Sequence, residues 1–300
     1  MIKNLSAHKK TVFLGCFYMV LTVFMFGLGN ALVKVIAAEI PVIQILFFRA
    51  ILAVAMLWGY FKVTNKPHLM KSQNIKLQLG RGAIGFFSLY TLFLSFQLLP
   101  ITDATALSFA TPLFITMLSV PLLKEKVSMP CWIAVIIGFL GVSYMADPTG
   151  NVTLLGSAAA IVSAFLEGTV MILSRTLSKK DHPLTSVFYH VVVISLFAAC
   201  FMPFYWEPVS WSLFLLLVLL TFISNLGQIF VVFAYSKAPA VVIAPILYTL
   251  IIWGGLFGYF FWGERLNEHL LLGLPVVILS GLYIIYQEFK AHKEHTPEMG

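Results

Sequence analysis

The stretch "FLEGTV" at 165–170 sets one carboxylate, Glu167, in the middle of a predominantly apolar run from 154 to 176 whose one other charged residue, Arg175, lies at its end. An ionised carboxylate in a nonpolar span costs about 2.5–3.5 kcal/mol on insertion scales, so something must compensate it. Glu167 can bind a cationic or amino group of a ligand, or carry a coupling proton. It can equally be a fixed partner of Arg49, or of His190, that holds helices together. Arg49, in "FFRAILA", and His190 occupy corresponding positions under a shift of 141 residues, so each can face a central cavity from opposite directions. A guanidinium there suits a carboxylate or phosphate as a bidentate donor, or clamps neighbouring carbonyls. An imidazole can relay a proton or serve as a hydrogen-bonded packing residue.

A second group of polar residues lies on helical faces. Asn30 and Lys34 are four apart, and Asn225 and Gln228 three apart, so each pair shares a face. Amides there orient a polar ligand or act as interhelical glue; Lys34 is expected to extend its stem to the outer surface. Tyr90, Tyr248 and Trp253 stand away from the interfacial belts where such rings collect. They form a box for a cationic or aromatic ligand or simply fill the core, as 27 phenylalanines do elsewhere.

Several chemistries find no support. No G-x-x-x-x-G-K-[ST], H-E-x-x-H or G-x-S-x-G occurs, and the segments at 62–77 and 288–300 are too short for an ATPase domain. Energy is expected from an ion or substrate gradient, or a partner subunit. Cys16, Cys131 and Cys200 all lie in apolar runs without paired spacing, which argues against a disulfide framework or a zinc site. No cofactor or metal is expected.

These residues must be positioned by membrane helices. The chain is 60% hydrophobic and 10% charged, more apolar surface than one soluble core could bury. About 20 apolar residues cross a hydrocarbon core, and that ruler gives ten spans near 12–34, 41–61, 78–98, 102–123, 129–146, 154–176, 184–204, 212–236, 240–262 and 270–287. The expected class is an all-α integral membrane protein. The first span is too long for the apolar core of a signal peptide, so an uncleaved helix is expected.

Charge placement gives an orientation. With the N-terminus inside, sixteen of 19 basic residues, Arg81 among them, fall in cytoplasmic segments; Lys34 and Arg265 fall at outer ends and Arg49 within a span. Both termini are then cytoplasmic in a multi-pass cell-membrane protein, in the inner membrane if the source is Gram-negative. The +7 net charge reflects topology, and no basic face interleaved with aromatics suggests a nucleic-acid partner. The expected partners are the lipid bilayer and a small-molecule metabolite, with the chain a monomer or homodimer.

The chain also repeats itself. A shift of 139 residues superposes "FQLLPITDATALSFATPLFITMLSVPLLKEKV" on "YSKAPAVVIAPILYTLIIWGGLFGYFFWGERL" without a gap, bringing Glu125 onto Glu264. Each half, 11–147 and 152–288, holds five spans. An odd number makes the second half enter from the opposite side, an inverted repeat that places a binding site near the midplane.

"FFRAILA" at 47–53, the run from 81 to 127 and "AYSKAPAVVIAPILYTLIIWGGLFGYFFWGERL" at 234–266 resemble the EamA family of the drug/metabolite transporter superfamily. Its fourth span in each half commonly carries a proline followed, about a dozen residues later, by a small residue and Glu-Arg. The first half keeps Pro112 but has Lys124 for the small residue; the second keeps Gly263-Glu264-Arg265 but has Ile251 for the proline. The resemblance implies a ten-helix carrier of small organic metabolites, such as amino acids, riboflavin-like vitamins or S-adenosylmethionine, working by alternating access. The competing reading is an integral-membrane enzyme or receptor using the same polar residues.

Overall fold

The computed structural model describes residues 2–123, 129–145, 153–177, 181–237, 246, 249–264 and 268–294. Among them the chain is α-helical, with no strand: α1 Ile2–Ile36, α2 Val42–Val63, α3 Ile75–Leu98, α4 Ile101–Ser108, α5 Thr111–Leu123, α6 Met129–Met145, α7 Leu154–Leu177, α8 Pro183–Phe201, α9 Trp211–Lys237, α10 Leu250–Trp262 and α11 Glu268–Glu294. Single 3-10 turns lie at Pro67–Met70 and Met202–Phe204. An all-helical chain is what lipid demands, because each helix satisfies its own backbone polar groups.

Seven of these segments are long and apolar enough to cross a membrane by length and composition: Phe13–Ile36, Val42–Val63, Ile75–Leu98, Ile101–Leu122, Leu154–Ser174, Leu184–Phe204 and Trp211–Val231. They match seven of the ten expected spans. The expected fifth and tenth are shorter apolar helices, Met129–Met145 and Leu271–Ile284, below the roughly 20 residues of an untilted crossing. Of the expected ninth span only Leu250–Trp262, residue 246 and residue 249 are described.

The fourth span is not one continuous helix. A turn at 109–110 separates α4 from α5, with Phe109 N donating to Ala106 O and Ala110 N to Leu107 O, in place of the regular ladder. Pro112 follows directly. Proline has no N–H to continue the α4 ladder, and it is tolerated in the first turn of a new helix, where it sits here as the second residue of α5.

Helix pairing places the core. α1 runs along α9 and α10, α3 lies between α7 and α8, α2 packs on α8 and α9, α5 on α7, and α6 on α11. Close approach requires glycine at two of these seams. A Cβ on Gly273 would lie 2.9 Å from Gly141 O across the α6–α11 contact, and a Cβ on Gly85 of α3 would lie 2.2 Å from Cε1 of His190 on α8. Outward faces stay apolar. On α6, Ile133, Ile136 and Leu140 are exposed while Ala134, Val135, Gly138 and Val142 are buried, the pattern of a helix with protein on one side and lipid on the other.

Candidate functional site

The polar residues of α2, α3, α7 and α8 converge within the bundle. Ser88 is thirteen residues into the 24-residue α3, about 20 Å from one end and 15 Å from the other at 1.5 Å per residue. It is therefore near mid-span. Its Oγ donates to Glu167 Oε2 at 3.1 Å, the single hydrogen bond to that carboxylate among the described residues. Ser163 Oγ donates to Ser88 O at 3.0 Å, so one turn below Glu167 the two helices are fastened together.

Two guanidinia bracket Glu167 along the membrane normal, and it is the carboxylate whose charge acts on both. Arg49 is seven residues into α2 and lies over the Phe93 ring, 5.6 Å from its centroid, on the side of the 37–41 loop. No hydrogen bond from Arg49 occurs among the described residues, and its nearest acid is not within ion-pairing distance. Arg81 lies on the opposite side, seven residues before Ser88. Its Nε donates to Ser174 Oγ at 2.6 Å and its Nη1 to Ser186 O at 3.0 Å. The one contact ion pair among the described residues is elsewhere, at Lys34 and Glu264.

His190 sits between these charges against Gly85. Its Nδ1 is buried and accepts or donates no hydrogen bond. Protein surrounds Arg49, Arg81, Glu167 and His190 on all sides, yet each keeps part of its surface accessible, as residues lining a cleft do. The arrangement can present two cationic donors and one acceptor to a small polar molecule while excluding bulk water.

A cavity of about 430 Å³ opens at the bundle end that carries the α1–α2 loop. Its rim holds Glu39, Glu207 and Tyr205, and Tyr90, Leu94 and Gln97 of α3 form the wall leading inward. This volume falls in the range that holds metabolite-sized ligands. Tyr90 stands two residues from Ser88, and by helix rise it is at about the depth of Arg49. Gln44 fixes the rim, its Nε2 donating to Glu207 O at 2.7 Å and its Oε1 accepting from Glu207 N at 3.1 Å.

Thus Glu167, Arg49 and His190 come together, and Tyr90 lines the cavity beside them. The remaining candidates do not join them. Trp253 of α10 packs edge-on to Phe24, with ring centroids 4.9 Å apart, and against Gly27. Asn225 and Gln228 line a separate crevice of about 10 Å³ with Leu57, Leu184 and Val187, room for about one water. Asn225 Nδ2 there reaches Met56 Sδ at 3.5 Å. Asn30 is half-buried on α1, the helix that packs on α9 and α10. Tyr248 lies outside the described residues.

Two charge assignments need correction. Arg81 was expected in a cytoplasmic segment, but it is inside the bundle because Ser174 and Ser186 O supply acceptors there. Lys34 does not extend freely to the surface. It pairs with Glu264, donates to Leu99 O at 3.2 Å and lies 5.1 Å from the Trp262 ring centroid. Glu264 in turn accepts from Ile101 N at 3.1 Å and Thr102 N at 3.4 Å, capping α4 where backbone donors have no helical partner. The repeated Glu-basic ending is, in the second half, a helix cap; Glu125 lies outside the described residues.

Sequence reasoning missed Arg81, Ser88, Ser174 and Ser186. The signal was present as spacing: Arg81, Gly85 and Ser88 recur at four and three residues, Glu167 and Ser174 at seven, Ser186 and His190 at four, which puts small and polar residues on one face of each helix.

Comparison with known proteins places this geometry in context. The EamA-like transporter family matches twice, over residues 13–146 and 154–287. A transporter of unassigned cargo from Helicobacter pylori is 29% identical over 292 residues, 92% of this chain and 96% of its own. The pseudopaline exporter CntI of Pseudomonas aeruginosa is 27% identical, covering 89% and 94%. The S-adenosylmethionine uptake transporter of Rickettsia conorii is 26% identical, covering 96% and 98%. One crystal structure, 15% identical, superposes with a TM-score of 0.63 over 96% of this chain and 99% of that one, a likeness of fold.

Proposed function

Because the chain belongs to the EamA-like transporter family, and is a membrane transporter rather than an enzyme, we propose that it carries a small polar metabolite across the cell membrane by alternating access, with Glu167 at the centre of the substrate site. The two matched segments, 13–146 and 154–287, fall within two halves, 11–147 and 152–288, that act as an inverted pair. In support, the most extensive helix contacts exchange under that symmetry: α1 with α9 and α3 with α7 are equivalent pairs, and α2 with α8 and α6 with α11 map onto themselves. The cavity at the α1–α2 loop then opens to the exterior, and both termini are cytoplasmic, as the lysine and arginine bias requires.

The observation that carries this reading is the state of Glu167. It is a carboxylate in the interior of the bundle, held by one serine hydroxyl, bracketed by two guanidinia and without a contact ion pair. A purely structural carboxylate would be tied off by its partners, whereas this one keeps bonding capacity for a ligand or proton. The transported compound belongs with amino acids, S-adenosylmethionine-like or riboflavin-like metabolites. The relatives are named for an export and an uptake activity, so the membrane gradient rather than the fold sets direction. Purified protein in liposomes, offered labelled amino acids, nucleosides, S-adenosylmethionine and riboflavin with and without a proton gradient, should accumulate or exchange at least one of them without nucleotide. Strict dependence on added ATP and a second protein would overturn the carrier reading.

A further inference from the structure

We propose that the substrate carries a carboxylate and that Arg49 is the residue that receives it, with Arg81 serving as a fixed positive charge. The inference rests on the carrier reading above and adds the chemical class of the cargo. Arg49 and Arg81 are two guanidinia with one carboxylate, Glu167, between them, so ionised Glu167 can offset at most one of the two positive charges. The other described acids are committed or remote. Asp181 accepts from Ser72, Gln73 N and Gln78, Glu264 is paired with Lys34, Asp103 stands beside Glu264, and Glu39 and Glu207 are exposed at the cavity rim. Among the described residues at least one unit of positive charge is therefore left over inside an apolar bundle, where an uncompensated charge is expensive.

Hydrogen bonding separates the two guanidinia. Arg81 spends donors on Ser174 Oγ and Ser186 O, which hold it between α7 and α8. Arg49 spends none on the described residues and keeps accessible surface at about the depth of Tyr90, where the 430 Å³ cavity ends. A guanidinium presents a planar fork that matches a carboxylate bidentately. A carboxylate passing inward beyond Tyr90, the cavity lining nearest the depth of Arg49, reaches Arg49 before Arg81, neutralises the surplus charge, and leaves Glu167 to accept an amino group of the same molecule.

The test uses thermal stability of the purified full-length protein titrated with L-α-amino acids, each paired with its methyl ester, at constant ionic strength. At least one acid should raise the melting temperature while its ester does not. Arg49→Gln should weaken that response about 10- to 100-fold, the range for losing a hydrogen bond to a charged group, and Arg49→Lys by about 10-fold, because the charge remains and the fork is lost. Without ligand, Arg49→Gln should melt at or above the wild-type temperature, since it removes the surplus charge. Arg81→Gln should melt lower, having lost two hydrogen bonds. Equal responses to acid and ester, no response to any acid, or an undiminished response in Arg49→Gln each overturns the inference. Liposome uptake decides the broader reading separately: transport of a compound lacking a carboxylate, unchanged in Arg49→Gln, sinks this inference and leaves the carrier intact.

Discussion

Gly85→Ala is a one-carbon change aimed at the centre of the site. The added Cβ would lie 2.2 Å from His190 Cε1 and 2.8 Å from Nδ1. Ordinary contact begins near 3.4 Å, so the imidazole must retreat by about 3.4 − 2.2 = 1.2 Å. The helices cannot part locally to relieve this. One turn away, Gly82 is already so close to α8 that a Cβ there would lie 2.5 Å from Val193 Cβ. The imidazole must instead turn within a space shared with Arg49 and Arg81. Overpacking of this kind costs about 1–3 kcal/mol, or a melting temperature lower by about 2–10 °C, and displaces a ring beside Glu167. Both melting temperature and initial transport rate should fall. Gly85→Ala combined with His190→Ala should melt higher than Gly85→Ala alone, because the obstructing ring is gone. A single variant with wild-type melting and transport would refute the packing argument.

Other variants probe the supports around the site. Glu264→Gln leaves Lys34 largely buried without its counter-charge and weakens the cap of α4; it should cost about 3 kcal/mol, read by melting temperature, and Lys34→Met should recover part of the loss. Burial opposes ionisation of Asp181, yet hydrogen bonds from Ser72, Gln73 N and Gln78 outweigh it and hold the carboxyl below its ordinary 3.8. Its native value is depressed, so its stabilisation is present above about pH 3.8 and lost as pH falls through the native value; Asp181→Asn should remove that part of the acid limb of a melting-versus-pH curve. With native cysteines replaced, Lys66→Cys should resist an impermeant maleimide on intact cells and Pro208→Cys should react; the reverse pattern would invert the topology.

How much was legible in the sequence depended on how each residue is used. Membrane class and most spans followed from long apolar runs, because lipid imposes length and apolarity on each helix separately. The break at 109–110 was marked only by Pro112, and apolarity carries no record of a local turn. Glu167 was visible because a carboxylate in an apolar run has no bland environment. Ser88, Ser174 and Ser186 were not, since serine is common in membrane helices and gains its role from a partner on another helix. Arg81 was misplaced for a related reason. Its position near a helix end fits the charge rule, and only the approach of α7 and α8 turns it inward. Trp253 shows the converse: a polar-tipped ring stands out in the sequence, while its packing on Phe24 and Gly27 depends on partners from another helix.

The central claim is that Glu167 serves the transported molecule or its coupling proton, and the direct measurement is transport and melting temperature together for Glu167→Gln, alone and combined with Arg49→Gln. Gln keeps the size of the side chain and an acceptor for Ser88 Oγ, while removing the charge. The account predicts that the single variant inserts, melts lower because the surplus positive charge beside Ser88 rises by one, and loses transport or its pH dependence, and that the double variant regains melting temperature without regaining activity. A single variant that melts several degrees lower, with stability and transport both restored by the double, would show that Glu167 is scaffold for Arg49 and contradict the account.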